Sequence, residues 1–166
     1  MDNLDLNDEE LIRNYIQKLH SFSIIKNVSD RSFMLNDSPS MHLLIEFMQD
    51  MILTRIFDPW EFYIVQNHLN QLLHSLVTKN DEIKLNLESF VKIVSSSIHV
   101  TISTLRKILQ LWAGKNFIKS DKTDPDIFMI SPLGLKDLEI LLQEYKYCRN
   151  KILNLLLISI PVYDIQ

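Results

Sequence analysis

Two short runs of β-favouring residues interrupt a chain whose other apolar residues recur at helical spacing. Residues 117–119 and 127–130 are rich in Phe and Ile, and they flank the polar segment 120–126, which contains Pro125. Such runs around a polar segment that contains proline predict a β-hairpin. A fold for this chain must therefore accommodate a hairpin between two helices.

Helical periodicity dominates the rest of the sequence. Capping residues mark three predicted starts, at Asn7, Asp58 and Asn86, and Pro59 takes the first helical position behind Asp58. The predicted helices cover about 8–19, 41–57, 58–76, 87–94, 101–112 and 132–148. Helices, then a hairpin, then a final helix is the order of a winged helix. We therefore expect a mainly α fold of the tandem winged-helix type, which is a helix-turn-helix with short β-hairpin wings.

An internal repeat indicates how many such modules there are. The first predicted helix and the residues that follow it resemble a second segment, which is the helix before residue 117 and the residues that follow it. Matched positions in the two segments are always 93 residues apart. The matched pairs are Ile12 with Leu105, Ile16 with Leu109, Leu19 with Trp112, Ile25 with Ile118 and Lys26 with Lys119. We therefore predict a module at 1–57 that lacks its leading helices, and a second at 58–166 with a long C-terminal helix. Two unrelated helix-then-strand segments are the alternative.

The charge is small overall but unevenly distributed. The formal net charge is -4, yet residues 2–10 contain five acidic residues and no basic one. Residues 100–122 show the reverse, with Arg106, Lys107, Lys115, Lys119 and Lys122 against the single acid Asp121. The acidic N-terminus has no apolar core of a signal peptide, and residues 152–162 are too short and too polar to span a bilayer. We expect an intracellular protein without a membrane partner.

The residue types that usually carry catalysis are scarce or scattered. Gly114 and Gly134 are the only glycines, which excludes a glycine-rich phosphate loop, and Cys148 is the only cysteine, which excludes a cysteine-based zinc cluster. No histidine pair stands at metal-ligand spacing. We therefore expect a protein that is not an enzyme, with no cofactor, no metal and no small-molecule substrate.

The basic segment supplies candidate contacts to DNA. On the predicted helix that begins at Thr101, the face opposite the apolar stripe presents Ser103, Lys107 and Gln110, and its flank presents Thr104 and Arg106. Lys119 and Lys122 would add contacts from the wing to phosphates. A basic face that serves only solubility is the alternative, since readers of duplex DNA usually carry more positive charge than this.

A second set of residues suggests docking to a protein. Phe57, Trp60, Phe62, Tyr63 and Leu111 are apolar residues that the predicted helical stripes do not need, and the segment 158–163 adds others. They are candidates for a surface that binds a partner. An inter-module core is the alternative for the aromatic residues beside Asp58.

The second module resembles a known family. Residues 108–119, which include Trp112-Ala113-Gly114-Lys115, and residues 121–131 resemble the C-terminal winged helices of the Stn-type subunit of the CST telomere complex. The winged helix of the middle subunit of replication protein A is similar. The resemblance implies a nuclear, telomeric interaction module that links a single-strand-DNA-binding complex to telomerase or to DNA polymerase α–primase. Its partners would be protein subunits of a DNA-maintenance complex, with at most a weak contact to DNA.

A different winged-helix class remains open. The segment 131–135 also looks like the motif that ends the wing in MarR- and PadR-type bacterial regulators. This resemblance implies a dimeric transcription regulator that reads duplex DNA with Ser103, Arg106, Lys107 and Gln110.

Overall fold

The computed structural model describes residues 6–21, 24–30, 32–77 and 81–159, and in these ranges the chain is mainly helical with two small antiparallel sheets. The helices are α1 Leu6–Ser21, α2 Pro39–Thr54, α3 Pro59–Leu76, α4 Leu87–Val94, α5 Ile102–Gly114 and α6 Pro132–Ser159. The strands are β1 Ile25–Ser29, β2 Ser32–Leu35, β3 Ile83–Asn86, β4 Lys119–Ser120 and β5 Ile127–Ile130. The described helices include no segment with the length and apolar composition of a membrane span.

Side-chain caps begin α3 and α4 where the sequence predicts. The Asp58 carboxylate accepts hydrogen bonds from the backbone N–H groups of Trp60 at 2.8 Å and Glu61 at 3.2 Å. The Asn86 side-chain oxygen accepts from Glu88 N at 2.9 Å and Ser89 N at 3.3 Å. These bonds satisfy N–H groups that have no partner inside the helix, so both predicted starts are confirmed.

The helix α2 ends three residues before its predicted end at Phe57. Arg55 has a φ of 55°, in the left-handed region, and the Ile56 N–H reaches back to the Met51 carbonyl at 3.2 Å. The Thr54 hydroxyl also donates to the carbonyl of Asp50 at 2.9 Å. A left-handed residue after the last turn terminates the helix, which leaves Phe57 outside it.

Two antiparallel hairpins are present, and the second, which the sequence predicts, belongs to a larger sheet. β1 pairs with β2 in antiparallel register, with Ile25 opposite Leu35. β5 lies between β4 and β3, with Lys119 opposite Met129 and Ile83 opposite Ile130. The sequence did not predict β3, because its four residues give too short an alternation of apolar and polar side chains.

The chain divides into two compact units. One consists of Met1–Glu46 with Tyr147–Gln166, and the other consists of Phe47–Lys146. Both boundaries fall inside helices, α2 and α6, and they differ from the predicted division between residues 57 and 58. The interpretation of the chain as two related winged-helix modules stays a prediction.

The unit Phe47–Lys146 contains a continuous apolar core. The rings of Phe62 and Tyr145 each lie near that of Phe47, with centroids 5.0 Å apart and nearly perpendicular planes. Edge-to-face pairs of this kind add about 0.5–1.5 kcal/mol to the gain from burial. The buried Trp112 indole N–H donates to Gln66 Oε1 at 3.0 Å, which joins α5 to α3. The largest fully buried side chains here are Phe47, Phe62, Leu69, Leu73, Leu87, Phe90, Leu105, Ile108, Leu109, Trp112, Phe128 and Tyr145.

The two glycines should respond in opposite ways to a methyl group. A Cβ at Gly134, in the first turn of α6, would collide with the backbone carbonyl of Phe117, whereas a Cβ at Gly114 would meet nothing within 4 Å. We expect Gly134→Ala to lower the free energy of unfolding by about 1–3 kcal/mol, as overpacking does. Gly114→Ala should leave it unchanged or raise it by up to about 1 kcal/mol. Urea unfolding of the two variants checks this, and equal losses of stability would contradict it.

Candidate functional site

The helix α5 presents one apolar face and one polar face. Thr101 caps it by accepting a hydrogen bond from Thr104 N at 3.2 Å. Its buried stripe is Leu105, Ile108, Leu109 and Trp112. Of the predicted DNA contacts on the opposite face, Ser103 and Gln110 are exposed, while Arg106 and Lys107 are half-buried. The helix therefore places these four residues on an accessible side, as the periodicity predicts, but not all of them are free.

Arg106 is bound to a carboxylate of its own chain. Its Nε lies 3.1 Å from Asp126 Oδ1 and its Nη2 lies 3.5 Å from Asp126 Oδ2. The backbone of Asp126 is itself held, since its N–H donates to Asp124 Oδ1 at 2.9 Å and its carbonyl accepts from Leu87 N at 2.9 Å. Because the pair is partly exposed, it contributes at most about 1 kcal/mol. The pair matters more for DNA binding than for stability, because the guanidinium that would contact DNA already binds Asp126.

The loop between β4 and β5 is acidic and internally hydrogen-bonded. Asp121 Oδ1 accepts from the Thr123 hydroxyl at 2.6 Å and from the Thr123 N–H at 2.7 Å. The Thr123 hydroxyl, followed by its backbone N–H, lowers the pKa of the Asp121 carboxyl below its ordinary value of 3.8. Lys119 and Lys122, the predicted wing contacts to DNA, are exposed. They stand close in sequence to Asp121 and Asp124.

The predicted docking residues separate into two groups. Phe57 and Trp60 are exposed, at 68% and 51% of their surface, and Leu111 is half-buried. Phe62 and Tyr63 are buried instead, because they lie on the inward face of α3. These two residues therefore belong to the core and not to a docking surface. In the predicted segment 158–163, residues 160–163 and the side chains of 158 and 159 lie outside the described part of the chain.

A groove lies between α5 and the last turns of α2. Its volume is about 430 Å³, which lies within the range of small binding sites. We call it the α2–α5 groove, and it contains three of the predicted site residues, Lys107, Gln110 and Leu111. Its lining is Asp50, Leu53, Lys107, Gln110, Leu111, Gly114 and Lys115.

A buried carboxylate underlies this groove. Asp50 is buried, with 3% of its surface exposed. Its Oδ2 lies 3.0 Å from Lys115 Nζ, and the Tyr145 hydroxyl donates a hydrogen bond to the same oxygen. A buried carboxylate needs such partners, because the transfer of a charged group from water into the protein interior is unfavourable in free energy. Asp50 and Tyr145 were missed at the sequence level. The available signal was an acidic residue at an inward position of α2, between Phe47 and Thr54.

The side chains of the described ranges form no cluster that is typical of a metal site. No group of three or more His, Cys, Asp or Glu side chains there could hold a metal ion. No family model matches the chain, and comparisons with curated proteins and with solved structures find no match either.

Thr123→Val should raise the pKa of Asp121 toward 3.8. The substitution removes the hydroxyl donor, which is the largest cause of the lowered pKa, but keeps the backbone donor. A carboxyl whose folded pKa is lowered stabilises the fold above its unfolded pKa, and this contribution is lost as the pH falls through the folded value. The variant should therefore lose less stability on acidification. A titration of the Asp121 carboxyl carbon by NMR checks this, and an unchanged pKa would contradict it.

Replacing Lys115 should lower the free energy of unfolding, because the substitution removes the cation beside the buried Asp50 carboxylate. Lys115→Met leaves Asp50 without its cation, and we expect a loss of about 3–5 kcal/mol of unfolding free energy. The double variant Asp50→Leu with Lys115→Met should recover a large part of that loss, since it removes both charges of the pair. A double-mutant cycle by denaturant unfolding measures the coupling. Additive losses in the double variant would mean that the two side chains do not act as a pair.

Proposed function

We propose that α3 to the first half of α6 form a winged helix that binds a protein partner and carries out no catalysis. The order α3, β3, α4, α5, β4, β5, α6, with β5 central in the sheet, supports the winged-helix assignment. In this assignment α5 is the recognition helix, and the loop between β4 and β5 is the wing.

The observation that carries the docking role is the α2–α5 groove. It follows the recognition helix along Lys107, Leu111 and Gly114, and it combines the apolar side chains of Leu53 and Leu111 with polar edges. Interfaces combine an apolar centre with a polar rim in the same way. The predicted docking residue Leu111 thus lies beside two predicted DNA contacts, Lys107 and Gln110.

The charges of the same region favour a protein partner over duplex DNA. Among the five basic residues of 100–122, Arg106 pairs with Asp126 and Lys115 pairs with Asp50. The other three are Lys107, Lys119 and Lys122, and the wing that carries the last two also carries acids. Phosphate neutralisation supplies most of the non-specific affinity for DNA, so few available cations mean weak binding.

The resemblance of the second module suggests a setting for this docking role. As in the Stn-type subunits that it resembles, the partner would be a protein of a DNA-maintenance complex at chromosome ends. The module would then connect a single-strand-binding complex to telomerase or to DNA polymerase α–primase in the nucleus.

Duplex DNA should bind weakly, and Lys107 should matter little for it. We expect fluorescence anisotropy at physiological salt to give a dissociation constant for duplex of about 1–100 µM, in the non-specific range. Lys107→Ala should change it by no more than about twofold, since one phosphate contact contributes little at that salt.

Single-stranded DNA and a second, lower salt concentration provide the controls. Submicromolar duplex binding that falls steeply with salt and is lost in Lys107→Ala would overturn the docking proposal. It would favour a transcription regulator that reads DNA through α5.

A further inference from the structure

We infer that the α2–α5 groove binds an acidic amphipathic helix of the partner. This inference rests on the proposed docking function and specifies the chemistry of what docks. It depends on three properties of the groove, namely its helical walls, the sign of its accessible charge and the open space at Gly114.

The walls of the groove favour a helical occupant over an extended one. Both walls are helices, α2 and α5, whose backbone groups are already hydrogen-bonded within each helix. An extended peptide gains affinity by adding main-chain hydrogen bonds at a sheet edge, and none of the described strands contributes a residue to this lining. A helix brings its own backbone bonds, and its side chains alone need to reach the groove.

The length of the groove fits two turns of such a helix. Lys107, Leu111 and Gly114 are spaced i, i+4 and i+7 along α5, which corresponds to about 10 Å. Leu53 on the opposite wall keeps 64% of its surface exposed. An amphipathic helix presents apolar anchors at the same spacing, and these can pack against Leu53 and Leu111.

The accessible charge of the groove is positive. Among the described residues that line it, Asp50 has the only carboxylate, and this group is buried against Lys115 and Tyr145. Lys107 lines the groove and is half-buried, and α5 itself contains no acidic residue. Acidic side chains flanking the apolar anchors would therefore be favoured, and basic ones would be repelled.

Gly114 has no side chain, so the end of the groove beside it is open. A substitution at this position can therefore block the groove. A Cβ built there meets no atom within 4 Å, and Gly114 lines the groove, so a side chain has open space around its first carbon. Gly114→Leu should therefore fill the binding space and preserve the fold. Lys107→Glu reverses the accessible charge at a half-buried rim position.

A display selection on the full-length chain tests the inference. The probe is a library of helical peptides of about 16 residues, depleted first on Gly114→Leu and then selected on the unmodified protein. We expect enriched sequences with apolar residues at i, i+3 or i+4 and i+7, and with a net negative charge. The dissociation constant of the most enriched peptide should rise at least about tenfold in Gly114→Leu and in Lys107→Glu.

Lys122→Glu is the matched control, because it makes the same change of charge on the wing loop, outside the groove lining. It should change the dissociation constant by no more than about twofold. The inference is overturned by a selection that enriches nothing, by enriched peptides that are neutral or basic, or by binding that Gly114→Leu leaves intact. Neutral or basic peptides whose binding is lost in Gly114→Leu would contradict the predicted charge of the partner but would still support the docking function. Tight duplex binding would instead contradict the docking function itself.

Discussion

The burial of the Asp50 carboxylate constrains the region that surrounds the groove. A charge with so little access to water is stable only with a cation and a donor beside it, and Lys115 and Tyr145 supply these. Three helices, α2, α5 and α6, are thereby joined at one oxygen. The same pair leaves the groove without an accessible carboxylate. The Asp50–Lys115 pair that stabilises the fold thus also determines the sign of the accessible charge in the groove.

A second intrachain ion pair limits what α5 can bind. Arg106 is one of the predicted contacts to bases or phosphates, and Asp126 holds it at the end of the loop between β4 and β5. A duplex would have to compete with that carboxylate and with the other acids of the loop. An apolar partner that packs on Leu53 and Leu111 meets no such competition. This difference is the physical reason to favour docking over DNA reading for the same helix.

Features fixed by neighbouring residues were predictable from the sequence, and features that depend on distant residues were not. The caps at Asp58 and Asn86 and the two hairpins depend on short-range patterns, and all are present. The burial of Phe62, by contrast, depends on the rings of Phe47 and Tyr145, which the chain brings together from other helices. The pairing of Arg106 with Asp126 joins residues 20 positions apart. The groove itself requires α2 beside α5, which no local pattern encodes.

The most direct measurement is a chemical-shift map of the full-length chain, titrated in parallel with duplex DNA and with an acidic amphipathic peptide. We expect the peptide to shift the amide resonances of Leu53, Lys107, Leu111 and Gly114, and we expect equimolar duplex at physiological salt to shift them far less, because its binding is weak and non-specific. The contrary result would be a shift of Ser103, Arg106, Lys119 and Lys122 by duplex, with no response to the peptide. That pattern would assign α5 and its wing to DNA.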